Sequence, residues 1–454
     1  MLPLIISHIR PLRVFSKASG CVGKCIEKRG GENNLQYCTA LTSRYNAYGA
    51  TRSERRMDYF IITILTSLLL SSTVHAQEQH FACDLYTTLA QAPSNKNKNI
   101  CFSPFSIQTG LEMAYEGARG TTAQEIATVL HMQKNDLKRR TAKKQILELL
   151  NPHDAAYVVT YSNNVWIQSG FNVKKSYSRD ILQNFYNTQN IPVDFAQDPS
   201  AAENIINAKV SEQTLGHIPA ILPAGSLDQL TRMVLTNAIY FKGIWETPFD
   251  KKDTLEAPFY LDTKTTVNVP FMHKAHGKYL YADHKDVQII ELNYAGDALS
   301  MIIILPHDRN LSELEKKLSS EQLASWRKEL SRTTVNLHLP RFSFGTSYTL
   351  NNTLMDLGIQ AAFSSARPPK GADFSGIDGK KDLYISLIAH QATLEVNEEG
   401  TVATAATAVV MNMKSMRPQP AVEFRADHPF IFLIQEKTTG TVLFMGRVVN
   451  PVEK

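Results

Sequence analysis

Few residues in this 454-residue chain have types and spacing suited to chemistry. There is no Gly-x-Ser-x-Gly nucleophile elbow, no His-Glu-x-x-His pair, no phosphate-binding Gly-rich loop and no dinucleotide fingerprint. His273, His276 and His284 come nearest to a metal set. Their spacing fits no standard site, and no cysteine or paired carboxylate supports them, so a solvated loop is expected there and no metal. An enzyme is not expected, nor a cofactor. The stretch that stands out is Glu398 to Ser415. From Gly400 to Met413 it runs for fourteen residues without charge or proline, small residues first and larger ones later. A single cation, Lys414, is followed by the small hydroxyl residue Ser415, then by Pro418 and Pro420. Loops favour Gly, Pro, Asn and Asp, and Thr and Val lose rotamer freedom in a helix. The composition suits a segment that lies open in one state and forms a strand in another.

Two polar residues sit inside apolar strand patterns. Alternation puts His390 on one face with Ile388, Ala392, Leu394 and Val396, and Asn237 on one face with Met233, Leu235, Ile239 and Phe241. Buried polar groups need partners. They are either two separately satisfied core residues, or a pair bonded to each other where strands must part. A basic helix over 136–150 carries Lys138, Arg139, Arg140, Lys143 and Lys144. It offers either a solvated face or a site for a polyanion such as a sulfated sugar.

The elements that must position these residues follow from periodicity and punctuation. Helices are expected over 79–92, from Ser103-Pro104 to Gly117, over 136–150, 175–188, 199–213, 320–331 and 347–357. A capping box is expected with Thr122 and Glu125. Strands are expected at Cys101-Phe102, 156–168, Val234–Phe241, parts of 277–305, 335–342, 383–396, Phe430–Ile434 and Val442–Met445. Helices dominate early and strands later without regular alternation, so the fold class is α+β with mixed or antiparallel sheets in one large domain.

Charge is uneven. Residues 1–76 hold ten Lys/Arg and four Asp/Glu, whereas the remainder holds 38 and 39. The basic balance therefore belongs to the N-terminal extension and gives no reason to expect nucleic acid as a partner. Residues 59–71 are an apolar run preceded by Arg55, Arg56 and Met57 and followed by Val74-His75-Ala76. This pattern predicts a signal peptide over 57–76 and export to the extracellular space, with no membrane association after cleavage. Residues 1–56 are then an over-extended start, or an Arg-rich transit segment. The expected mature chain, 77–454, keeps two cysteines, Cys83 and Cys101, which do not make a disulfide framework.

Together the motifs over 77–454 resemble a serpin. They include Phe102-Ser-Pro-Phe-Ser-Ile107, Gly117-Ala-Arg-Gly-Thr-Thr122, Asn164-Val-Trp166 and Asn237-Ala-Ile-Tyr-Phe-Lys-Gly-Ile-Trp245. Leu299-Ser-Met-Ile-Ile-Ile-Leu-Pro306, Leu337-His-Leu-Pro-Arg-Phe342, Glu398-Glu-Gly-Thr401, Asp427-His-Pro-Phe430 and Phe444-Met-Gly-Arg-Val-Val-Asn-Pro451 follow in order. One departure is Ala208-Lys209, where the family often has an aromatic residue nearby.

The resemblance implies three β-sheets, about nine helices and an exposed reactive loop over 398–420. It implies a monomeric suicide-substrate inhibitor of serine proteases. The protease cleaves the loop and is acylated, and the freed loop enters the main sheet as an added strand. The implied hinge is Glu398, Glu399, Gly400, Thr401, Val402, Ala403, Thr404, Ala405 and Ala406. Its small uncharged side chains bury no unpaired charge on insertion. The implied polar cluster beneath the opening sheet is Ser103, Ser106, Asn237 and His390. Counting from the hinge as in the family places the reactive bond at Lys414–Ser415, suited to a trypsin-like protease held as a covalent complex. Arg417 and Met413 are alternative cleavage positions. Papain-like cysteine proteases are an alternative target class, and a carrier or chaperone with an inert loop is an alternative function. The same charge-free segment could also enter a neighbouring molecule's sheet and so link chains.

Overall fold

The computed structural model describes residues 79–132, 135–150, 157–366, 371–398 and 420–453, all within one compact unit, Leu70–Lys454. The extension 1–56, the expected signal segment 57–76 and the residues from Glu399 to Gln419, which hold most of the expected reactive loop, lie outside the described residues.

The chain opens with α1 (79–91) and β1 (Ile100–Phe102). Next comes α2 (Pro104–Gly117), whose start is written in the sequence. Pro104 occupies the first turn, where its missing N–H costs nothing, and the Ser103 hydroxyl accepts from the Ser106 N–H at 3.1 Å. α3 (Gly120–Val129) begins without a side-chain cap, so the expected capping box is absent. Thr122 instead accepts from the Asp373 N–H, and the Glu125 carboxylate accepts from the N–H groups of Gln360 and Ala361. Both residues tie in a distant segment rather than their own helix. α4 (Asp136–Leu149) follows, capped by Asn135.

Five strands form the first sheet, in the order β10-β11-β4-β2-β3. They are β2 (Tyr157–Gln168), β3 (Asn190–Val193), β4 (Met233–Gly243), β10 (Phe342–Thr349) and β11 (Ile385–Val396). β4 and β11 are parallel neighbours, whereas β2/β4 and β10/β11 are antiparallel. Between β2 and β3 the expected helix 175–188 is broken into Lys175–Tyr177, a π-helical Ser178–Gln183 and Asn184–Tyr186. α5 (Pro199–Gln213) packs on the outer face of this sheet. Ala202, Ile206 and Val210 meet Trp166, Val234, Ala238 and Leu387 there.

The second sheet has nine strands: β1 with β5 (Leu255–Tyr260), β6 (Thr266–Asp283), β7 (Val287–Asn293), β8 (Leu299–Pro306), β9 (Ser331–Pro340), β12 (Val422–Arg425), β13 (Phe430–Glu436) and β14 (Val442–Val448). Two of the three expected sheets are joined here through the eighteen-residue β6, which shifts register between Lys274 and Gly277. α6 (Leu311–Lys317) and α7 (Ser320–Glu329) follow β8, and α8 (Asn351–Leu357) precedes β11. The expected strand 335–342 is the end of β9 and the start of β10, parted at Arg341. The expected helix 347–357 begins only at Asn351, because β10 runs to Thr349.

The inner faces of the two sheets make one core, where Ile239, Phe241, Leu394 and Phe342 meet Phe432, Ile303 and Phe424. Strands covered on both sides carry no alternation: β8, β13 and β14 are buried at every position.

Candidate functional site

The first sheet carries a polar row across its width. In register, Tyr348 of β10 lies beside His390 of β11, His390 beside Asn237 of β4, and Asn237 beside Asn163 of β2. The first turn of α2 sits above it. The Ser103 N–H donates to His390 Nε2 at 3.0 Å, and the Ser106 hydroxyl donates to Asn163 Oδ1 at 2.6 Å. Asn237 Nδ2 donates to Asn163 Oδ1 at 3.1 Å and to the Ser106 carbonyl at 3.2 Å. A side chain at Gly110 would collide with Asn237, since a Cβ there would lie 2.5 Å from Nδ2. Helix and sheet can approach this closely only with glycine at that position.

All four expected cluster residues, Ser103, Ser106, Asn237 and His390, are therefore brought together. The pairing expected between His390 and Asn237 is not the one found: each side chain bonds elsewhere. Asn163 was not foreseen. Its signal was a polar residue inside the β2 pattern, masked because the next residue, Asn164, is polar too. Burial pushes the His390 imidazole down to about 3. Its Nε2 accepts a hydrogen bond, so the neutral ring carries its proton on Nδ1. His390 Nδ1, Asn237 Oδ1 and Asn163 Nδ2 have no protein partner among the described residues.

β11 leads directly to Asn397 and to Glu398, the first residue of the expected hinge. Trp245 Nε1–H donates to the Asn397 carbonyl at 2.9 Å, and the Phe249 N–H donates to the Glu398 carbonyl at 3.0 Å. The Glu398 side chain is buried and accepts from Thr254 Oγ1 at 2.8 Å and Arg341 Nη2 at 2.5 Å. Burial acts to raise its pKa, but the bonds from Arg341 and Thr254 outweigh this and hold the carboxyl below the usual range. Glu399, Gly400, Thr401, Val402, Ala403, Thr404, Ala405 and Ala406, and the Lys414–Ser415 bond, lie outside the described residues.

The sequence profile of the family described as serpin (serine protease inhibitor) matches residues 76–451. This chain belongs to the serpin family. Membership makes serine protease inhibition the general activity and a protease the general partner. The serpin is 40% identical over 373 residues to an uncharacterized serpin-like protein of Thermococcus kodakarensis, covering 82% of this chain and 84% of that one. It is 38% identical over 381 residues to leukocyte elastase inhibitor A of Rattus norvegicus, covering 82% and 97%. Among solved structures, uncleaved ovalbumin matches with a TM-score of 0.74 at 29% identity, over 83% of this chain and all of the other. Human thyroxine-binding globulin complexed with thyroxine matches with a TM-score of 0.74 at 30% identity, over 84% and 100%.

In this serpin the basic helix α4 turns part of its charge into the protein and leaves part at the surface. Arg139 and Lys143 point inward and are buried. Arg139 Nη2 meets Glu116 Oε1 at 2.7 Å and Lys143 Nζ meets Glu112 Oε1 at 3.4 Å, both carboxylates being buried on α2. Arg140 forks onto Glu116 as well, and the Tyr186 hydroxyl donates to it at 3.1 Å. Burial pulls the Glu116 pKa upward, but the two guanidiniums outweigh it and keep the group ionised. Lys144 is half exposed beside Glu148 at 3.9 Å, and Lys138 is half-buried near the helix start. The inward turn has a sequence cause: Glu112 and Glu116 are spaced i, i+4 on a helix buried on nearly all sides, and need cations.

The histidine set also differs from expectation. His273 and His276 stand in strand β6, not in a loop, and His273 stacks on His338 at 4.4 Å. His284 follows β6 and faces Glu329 at 3.3 Å.

Proposed function

We propose that this serpin is exported and inhibits trypsin-like serine proteases as a suicide substrate cleaved at Lys414–Ser415. The observation that carries this reading is the parallel pairing of β4 with β11, in register from Val234/Leu387 to Lys242/Glu395. A chain that reverses after Glu398 would lie antiparallel to β11 and, once between the two strands, antiparallel to β4 as well. One parallel ladder, the weaker kind, would be exchanged for two antiparallel ladders. Residues 401–413 are fit to be that strand: they lack proline, so every ladder N–H is present, and they lack charge. Over 401–414 the strand would span about 46 Å, close to the roughly 54 Å diameter expected of a 378-residue domain, so an acylated protease would be carried across most of the body.

Lys414 fits a specificity pocket that holds a carboxylate. Export rests on the segment 57–76. The relatives named for leukocyte elastase favour a second target class, for which the apolar Met413 beside Lys414 is the relevant residue. The test is incubation with trypsin, chymotrypsin, elastase and papain, followed by SDS electrophoresis and mass analysis of the released C-terminal peptide. A covalent complex with trypsin and a peptide beginning at Ser415 are expected. Cleaved loop with fully active trypsin would sink the reading.

A further inference from the structure

The chain contains two triplets with the spacing of acceptors for N-linked saccharide, Asn310-Leu311-Ser312 and Asn351-Asn352-Thr353. Their environments differ sharply. Asn310 is exposed and caps α6. Its Oδ1 accepts from the Glu313 N–H at 3.4 Å, while its own N–H donates to Asp308 Oδ1 at 3.0 Å. The cap uses the oxygen alone, and Asn310 Nδ2 has no partner among the described residues. Asn351 is half-buried and engaged through both amide atoms. Nδ2 donates to the Ser386 carbonyl at 2.9 Å, and Oδ1 accepts from the Ile388 N–H at 2.9 Å. The side chain clamps the first residue of α8 to β11, two residues before His390.

We propose that Asn310 carries an N-linked oligosaccharide and that Asn351 does not. The inference rests on the export reading, since the donor is found only in the secretory route. Transfer forms a bond from Asn310 Nδ2 to the anomeric carbon of a lipid-linked oligosaccharide diphosphate. The bond from that carbon to the diphosphate oxygen breaks, and one amide proton passes to a base of the transferase. Oδ1 is untouched, so the cap on α6 survives modification. A saccharide on Asn351 would have to leave from a half-buried amide held on β11, and the clamp would be lost. The folded, exported chain is therefore modified at the first triplet only.

The test uses the full chain in a eukaryotic secretory host in two forms, one unaltered and one with an added cleavable export signal ahead of Met1. The readout is an endoglycosidase-sensitive mass shift of the exported protein. Ser312→Ala removes the first acceptor triplet and keeps the Asn310 cap, and Thr353→Ala removes the second and keeps the Asn351 clamp. With the added signal, a single shift is expected that is lost in Ser312→Ala and kept in Thr353→Ala. A shift that survives Ser312→Ala, or an exported chain with no shift, overturns the assignment. If the unaltered chain stays in the cytosol while the added-signal form is modified at Asn310, the export reading fails alone and the acceptor assignment is supported.

Discussion

His390 and Asn237 are lateral neighbours in adjacent parallel strands, yet their side chains do not bond each other; both are held by the first turn of α2. Through these bonds both strands are tied to a common helix.

One consequence is a pH dependence. The folded protein keeps His390 neutral, with its pKa lowered from 6.5 to about 3 by burial, while the unfolded chain protonates it normally. The unfolded state therefore binds the extra proton first, and stability present above pH 6.5 is lost progressively as pH falls toward 3. His390→Gln should flatten this part of the stability–pH curve in denaturant titrations. Identical curves for variant and parent would remove His390 as a source of the slope.

Asn163 accepts from both Ser106 and Asn237 and is the hub of the row. Asn163→Ala leaves two buried donors without that acceptor, and a loss of about 1–3 kcal/mol is expected from urea unfolding midpoints. A change within about 0.5 kcal/mol would mean that the row contributes little to holding the sheet closed.

Glu398 anchors the start of the loop through Thr254 and Arg341. Arg341 is 46% exposed, so solvent screening limits the pair to about 1 kcal/mol. The Glu398 pKa is lowered from 4.5, so this contribution is present above pH 4.5 and disappears as pH falls below it. Glu398→Gln should be less stable than the parent at neutral pH and should converge with it in acid. On native gels it should also form chain-linked species sooner on warming, and equal rates would detach the anchor from loop control.

The inward turn of α4 separates its lysines and arginines by function. Arg139→Ala would leave buried Glu116 to Arg140 and buried Glu112 to Lys143, and is expected to cost about 1–3 kcal/mol. Lys144→Ala, at a side chain 51% exposed, should stay within about 0.5 kcal/mol. Thermal denaturation of the pair reads the difference, and similar losses in both would contradict the burial of Arg139.

Thr401→Arg places a charge where the inserting segment would have to bury it. The variant should still be cut by trypsin but should yield cleaved serpin and free protease in place of covalent complex. An unchanged ratio of complex to cleaved product would argue against insertion.

The sequence by itself determined much of the fold. The apolar runs of β8 and β13, the Ser103-Pro104 helix start and the charge-free segment after Glu398 are local patterns, and local patterns survive in one dimension. His390 and Asn237 were legible for the same reason, as polar residues in an apolar period. Tertiary structure alone decided who their partners are. Asn163 and the α2 turn reach them across strands far apart in the chain, and no spacing encodes that meeting. β10 was hidden as well: its exposed positions are Ser343, Gly345, Ser347 and Thr349, and pairing with β11 makes Phe342–Thr349 a strand. The basic helix shows the limit most plainly. Five cations on one helix describe a charge, but the inward turn of Arg139, Arg140 and Lys143 was fixed by Glu112 and Glu116 on a buried neighbour, because a buried carboxylate must be paired.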